Sequence, residues 1–134
     1  MPERDYSGTP LPKKLGIREG SRVFLAGAPD GFLETLGPDA APVPDARGPL
    51  DVVLLFTASR AELEARFTGL ARELAPAGGL WVAYPKKASG VATDLAFQDV
   101  QEIGLAAGLV DNKSCAIDGV WSGVRFVIRL RDRR

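Results

Sequence analysis

Two stretches of the chain, "LDVVLLFT" from Leu50 to Thr57 and "GLWVAY" from Gly79 to Tyr84, are apolar and lack the alternation of apolar with polar residues. A strand with one wet face alternates. One that does not alternate is covered on both faces, as a parallel strand between two layers of helix is. The two runs therefore predict an α/β sheet with both of them in its interior. No apolar segment approaches the roughly 20 residues that would cross a bilayer, so the cover has to come from the chain's own helices.

The flanking segments supply them. "LPKKLGI" predicts one short helical turn, and "SRVFLAG" a buried strand ending at Gly27. In "PDGFLETLG", Phe32, Leu33 and Leu36 share one face of a short helix that Gly37 and Pro38 stop. Pro38, Pro42, Pro44 and Pro49 make residues 38–49 an extended connection with room for no more than a very short strand around Val43. After the first apolar run, Ser59 and Glu62 form a capping box. Leu63, Phe67, Leu70 and Leu74 then repeat at helical spacing until Pro76 and the following glycines. Phe97, Val100, Ile103 and Ala107 define a further amphipathic helix closed at Gly108, with Asp94 placed to start it. "VDNKSCAI" has the mixed polarity of a sheet edge. "WSGVRFVIRLR" alternates, with Phe126, Ile128 and Leu130 on one face and Arg125, Arg129 and Arg131 on the other, and a turn at Asp118 joins the two antiparallel. The expected fold class is a three-layer, Rossmann-like α/β sandwich whose mostly parallel sheet ends in an antiparallel hairpin. It forms one domain over residues 1–134, with 1–20 as an N-terminal arm.

What the chain lacks limits its chemistry. It contains no histidine, which removes the usual neutral-pH proton shuttle and the commonest metal ligand, so Ser-His-Asp and Cys-His catalysis and a metal site are not expected. Cys115 is the lone cysteine, which leaves no internal disulfide and reads as a small buried apolar residue. Seventeen basic residues balance seventeen acidic ones, so no global field draws nucleic acid or an anionic membrane, and only the tail "RLRDRR" is locally basic. The opening "MPERDYSGTP" has no apolar signal region, and a bacterial, cytoplasmic location is the expectation.

Two resemblances follow from these motifs. "KKLGIREGSRVFLAGAPDG" and "LARELAPAGGLWVAYPK", with the closing hairpin, resemble a class I methyltransferase fold. That family carries an acidic residue in its first strand, a G-x-G loop, and a second acid for the ribose at the end of a second strand. Here the first-strand positions read Leu25 and Ala26, the loop reads Gly27, Ala28 and Pro29, and residues 38–49 leave no room for the further strands. The resemblance thus implies the fold without the S-adenosylmethionine pocket, and no cofactor is expected. "DVVLLF", "GGLWVAYPK" and "WSGVR" are similar to a group of small actinobacterial proteins classified as a domain of unknown function, which implies a fold and no activity.

In open parallel sheets a ligand sits beyond the carboxyl ends of the strands. That edge collects the loop from Gly27 to Gly31, Arg60, the stretch "YPKKASG" with Lys86 and Lys87, and the turn leading to Trp121 and Ser122. Lysine ammonium groups meet phosphate or carboxylate as mobile point charges, glycines let backbone amides approach an anion, and an indole offers a stacking face. Each has a duller reading: a tight strand-to-helix turn for Gly27 and Gly31, solvated loop lysines for Lys86 and Lys87, and a hairpin anchor for Trp121. The resulting expectation is a non-catalytic binder of a small anionic or nucleotide-like ligand using Gly27, Gly31, Lys86, Lys87, Trp121 and Ser122. The alternatives are a protein-interaction module and a residual methyltransferase-like enzyme.

Overall fold

The structure is a computed structural model that describes residues 9–37 and 40–133. The reading of the extreme N-terminus and of Pro38 as a helix stop falls outside these residues. The described chain forms helix α1 (Leu11–Leu15), strand β1 (Val23–Ala26), helix α2 (Phe32–Leu36) and strand β2 (Leu50–Phe56). Helix α3 (Arg60–Ala71), strand β3 (Leu74–Pro85), helix α4 (Phe97–Ala106) and strands β4 (Leu109–Ala116) and β5 (Trp121–Ile128) follow. The sheet order is β1-β2-β3-β5-β4. β1, β2 and β3 pair parallel, and β5 lies antiparallel between β3 and β4. This is the expected mixed α/β sandwich, with both apolar runs interior and β4 on an edge.

The period-two geometry of the strands divides the core between two faces. Val53, Leu55, Leu80, Val82, Val124 and Phe126 pack beneath Leu63 and Phe67 of α3 and Val100 and Ile103 of α4. Val52, Leu54, Phe56, Trp81 and Ala83 face the other way, toward Leu15 of α1 and Phe32 and Leu36 of α2. Trp81 is fully buried there, and its indole Nε1 donates to the Leu15 carbonyl at 3.0 Å, which satisfies the one polar atom that the ring brings inside.

The connection from α2 to β2 crosses from one face to the other around β1. Ala40 belongs to the α1/α2-side core, while Val43 and Ala46 pack on the α3/α4 side. Between them the Val43 amide donates to the Val23 carbonyl at 2.7 Å, a single strand-like bond on the outer side of β1. No strand forms at Val43 and none lies outside β1 among the described residues.

Several expectations are corrected. Leu74, read as the last apolar position of a helix, is the first residue of β3 and pairs with Leu50, while α3 ends at Ala71. The Leu50 amide donates to the Glu73 carbonyl at 2.8 Å, and the register then slips so that Val52 faces Gly79. Gly78 sits at this irregularity, where an added Cβ would lie 2.5 Å from the Leu50 oxygen. Leu33 and Phe97 do not share their helices' buried faces and are 48% and 40% exposed. Strand β5 ends at Ile128, where β4 begins opposite it. Residues Leu130–Asp132 form a 3-10 turn in which Leu130 is 79% exposed rather than continuing the alternation. Cys115 is half-buried against the α1/α2-side core.

Candidate functional site

The carboxyl edge is built mainly by backbone bonds. The Thr57 amide, just past β2, donates to the Ala83 carbonyl at 3.0 Å, and the Lys86 amide, just past β3, donates to the Val120 carbonyl at 2.7 Å. Asp118 accepts from the amides of Val120 and Trp121 at 2.8 and 2.9 Å and so makes the turn expected of it. Beyond β3 the "YPKKASG" stretch is an ordered loop. The Ser89 hydroxyl donates to the Lys86 carbonyl at 2.6 Å and accepts from the Val91 amide at 3.2 Å, and Gly90 closes the turn with φ of 75°.

Residues 93–96 tie this edge to both helices. Thr93 Oγ1 donates to the Ala58 carbonyl at 2.6 Å and accepts from the Leu95 amide at 3.0 Å. Asp94 accepts from the Arg60 amide at 2.7 Å, so it caps the start of α3 rather than of the helix it precedes. Asp99 reaches back to the Ala96 amide at 2.8 Å to hold the start of α4. Ser59 accepts from the Glu62 amide at 3.2 Å, but its own amide goes to the Thr57 hydroxyl, so only half of the expected capping box forms.

Between these segments lies a cleft of about 540 Å³, lined by Tyr84, Pro85, Lys86, Lys87, Thr93–Phe97 and Ser122. Tyr84 and Ser122 are cross-strand partners, which puts their side chains on one face of the sheet. Burial pushes the Tyr84 hydroxyl above its ordinary pKa, so the phenol is a proton donor at neutral pH and holds its proton further into the alkaline range. Four side chains of the lining, those of Tyr84, Lys86, Lys87 and Ser122, make no hydrogen bond or ion pair with any described residue. All four can donate, and two carry positive charge.

The six residues singled out from the sequence divide between the two faces. Lys86, Lys87 and Ser122 line the cleft on the α3/α4 side. Trp121 precedes Ser122 in β5, so it points to the opposite face. There its ring meets Phe56 edge-on at 5.2 Å, and Phe56 meets Phe32 of α2 at 4.8 Å. Gly27 and Gly31 belong with that second group, since Gly31 immediately precedes α2. A Cβ on Gly27 would lie 2.8 Å from the Phe56 carbonyl oxygen, and both glycines have positive φ, 69° and 83°. Backbone fit alone accounts for both. Helix α2 has five residues, and its first amide, that of Phe32, is already bonded to the Pro29 carbonyl.

Arg60 does not join the cleft. Its guanidinium donates to Asp99 at 2.6 Å and Glu102 at 3.4 Å and lies 3.6 Å from Glu64, which bridges α3 to α4. Desolvation pulls its pKa down, but the hydrogen bonds it donates to Glu102 and Asp99 and the nearby carboxylates outweigh this and raise it. Glu64 is an i,i+4 neighbour readable from the sequence, but Asp99 and Glu102 lie a whole helix away, and nothing local to Arg60 signals them.

No protein-family model and no curated protein matches the chain. Solved structures match it in fold. A SAM-dependent methyltransferase from Aquifex aeolicus superposes with a TM-score of 0.64 at 14% identity, over 85% of this chain and 85% of that one. The fold is that of the S-adenosylmethionine-dependent methyltransferases. Aeropyrum pernix fibrillarin, solved with natively bound S-adenosyl-L-methionine, matches with a TM-score of 0.55 at 17% identity, over 87% of this chain and 73% of its own. The O-methyltransferase NcsB1 from neocarzinostatin biosynthesis, solved with S-adenosyl-L-homocysteine and 1,4-dihydroxy-2-naphthoic acid, matches at 0.62 and 13%, over 82% of this chain and 49% of its own. The chain spans about half the length of NcsB1 and of a magnesium protoporphyrin IX methyltransferase from Synechocystis, 49% and 45%.

The residues at the end of β1 do not fit the methyl donor these proteins use. β1 reads Val23–Ala26 without a carboxylate, and no strand lies outside it among the described residues to carry a second acid. The Gly27 turn is closed against the Phe56 carbonyl.

Proposed function

We propose that this chain is a binding protein of methyltransferase-like fold that holds a small anionic ligand at the carboxyl edge of its sheet, without methyl transfer. One observation carries the reading: Tyr84, Lys86, Lys87 and Ser122 line one cleft with their donors unengaged by the described protein. Two ammonium groups and two hydroxyls suit an acceptor-rich anion, and the volume lies within the range of small-molecule sites, roughly 300–1,000 Å³. The small aromatic acid named with NcsB1 is a ligand of this general class. A cytoplasmic location and kinship with the small bacterial proteins belong to the same proposal.

A thermal-shift series with phosphate, acetate, AMP and S-adenosylmethionine tests it. A ligand at 100 times its dissociation constant adds about 2.7 kcal/mol, roughly a 10 °C rise for a domain of this size. The expected result is a rise with at least one anion that disappears in the Lys86→Ala/Lys87→Ala variant. No rise with any of them, or an equal rise in the variant, overturns the reading.

The second reading is a residual methyltransferase, favoured by the Aquifex aeolicus neighbour's equal coverage of both chains. It requires a rise with S-adenosylmethionine that survives loss of the two lysines.

A further inference from the structure

The anion reading leaves the body of the ligand open, and the rest of the cleft lining restricts it. Thr93 has its hydroxyl engaged twice, with Ala58 and Leu95, Asp94 accepts from the Arg60 amide, and the Ala96 amide is taken by Asp99. The other lining groups, Pro85, Leu95 and Phe97, are apolar. Apart from the four donors, the lining offers no unengaged donor side chain to read the edge of a nucleobase. The carboxylate of Asp94 disfavours a chain of phosphates more than a single acidic group, because the repulsion grows with the number of like charges.

Pro85 and Leu95 are buried, but Phe97 is more exposed than helix packing requires. Phe97 opens α4 and is 40% exposed, whereas Val100 and Ile103 of the same helix are 0% and 7% exposed. Val91 and Val120, at 43% and 37%, flank the lysine loop. The Val120 carbonyl holds the Lys86 amide, and the Val91 amide is held by Ser89. The edge that presents the donors therefore also presents three large apolar side chains to solvent, a pairing that recognises an amphiphilic ligand.

We infer that the ligand is a small acid with a flat apolar body, an aromatic ring carrying one carboxylate or phosphate group, and not a nucleotide. The inference rests on the anion-binding reading of the same cleft. Lys86, Lys87, Tyr84 and Ser122 take the acidic head, and Phe97 with Leu95 and Pro85 takes the ring. Covering an exposed phenyl face contributes through both buried area and ring geometry, so its loss should weaken binding by about tenfold.

The test is isothermal titration of the full chain with four probes: 2-naphthoate, the neutral 2-naphthylmethanol, acetate and AMP. The expected order has 2-naphthoate binding at least about tenfold more tightly than each of the other three. Phe97→Ala should weaken 2-naphthoate about tenfold and leave acetate unchanged, with Phe97→Leu in between. Lys86→Ala/Lys87→Ala should reduce 2-naphthoate to the level of the alcohol. Circular dichroism melts establish that each variant is folded, and the leucine variant keeps the ring-site test usable if the alanine variant is not. AMP binding as tightly as 2-naphthoate, acetate binding equally well, or 2-naphthoate indifferent to both Phe97 variants overturns the inference and leaves anion binding standing. No binding of any of the four overturns the anion-binding reading itself.

Discussion

The seating of α4 on the sheet can be tested by adding one methyl group. Gly104 lies on the buried side of α4, and a Cβ there would overlap the ring of Phe126, with Cε2 and Cδ2 as its nearest neighbours. Phe126 is 0% exposed and meets Phe67 of α3 edge-on at 5.2 Å, so its ring has no free direction in which to retreat. Overpacking of this kind costs about 1–3 kcal/mol. Against it stands the helix preference for alanine over glycine, up to about 1 kcal/mol. Gly104→Ala should therefore destabilise by up to about 2 kcal/mol, a fall in Tm of up to roughly 8 °C for a domain of this size. The control is Gly69→Ala in α3, an exposed site where an added Cβ meets nothing within 4 Å. Only the propensity gain acts there, about 0.5 kcal/mol near a helix end, and Tm should rise by about 2 °C. The same substitution thus carries opposite signs at two positions. Thermal melts followed by far-UV circular dichroism, with urea midpoints as a second measure, read the difference. If Gly104→Ala stabilised as Gly69→Ala does, α4 would not sit on Phe126, and the cleft formed by the start of α4 would lose its basis.

Calorimetric titration with S-adenosylmethionine should give no saturable heat in the micromolar range, because β1 carries no carboxylate and no strand lies outside it among the described residues; tight binding would revive the methyltransferase reading. Lys86→Ala/Lys87→Ala should leave folding stability within about 0.5 kcal/mol, since neither ammonium makes an ion pair with a described residue, and a larger loss in a urea melt would assign the lysines a structural role. Burial raises the Tyr84 pKa above its unfolded value, so the folded state holds the proton longer. That contribution is complete below about pH 10 and is lost as pH rises through the folded value. Tyr84→Phe should accordingly lose less stability than wild type on going from pH 9 to 11, and equal losses would contradict the burial. Asp99→Asn should lower Tm more in dilute buffer than in about 1 M salt, because the Arg60 bridge between α3 and α4 is partly exposed and screened.

Much of this architecture is legible in the sequence, because burial on both faces leaves an unbroken apolar signature, and "LDVVLLFT" and "GLWVAY" lie inside the sheet as that signature requires. Leu74 escapes the same logic. Its spacing from Leu70 fits a helix, yet a long-range bond from Leu50 to Glu73 draws it into β3, and Gly78 gives the strand room to slip afterwards. The site divides along a similar line. Its place at the carboxyl edge follows from strand order, which short-range pattern supplies. Which donors there remain unengaged depends on contacts between distant segments, as with Arg60, whose charge is absorbed by Asp99 and Glu102 of the next helix.

Trp121 and Ser122 were separable from alternation alone, since adjacent residues of one strand face opposite ways. Strand β5 begins at Trp121, paired with Pro85. The indole is thereby committed to Phe56 and the α1/α2-side core, and the serine to the cleft beside Tyr84. A single strand boundary thus decides which aromatics line the cleft: Tyr84 and Phe97, with Trp121 on the opposite face.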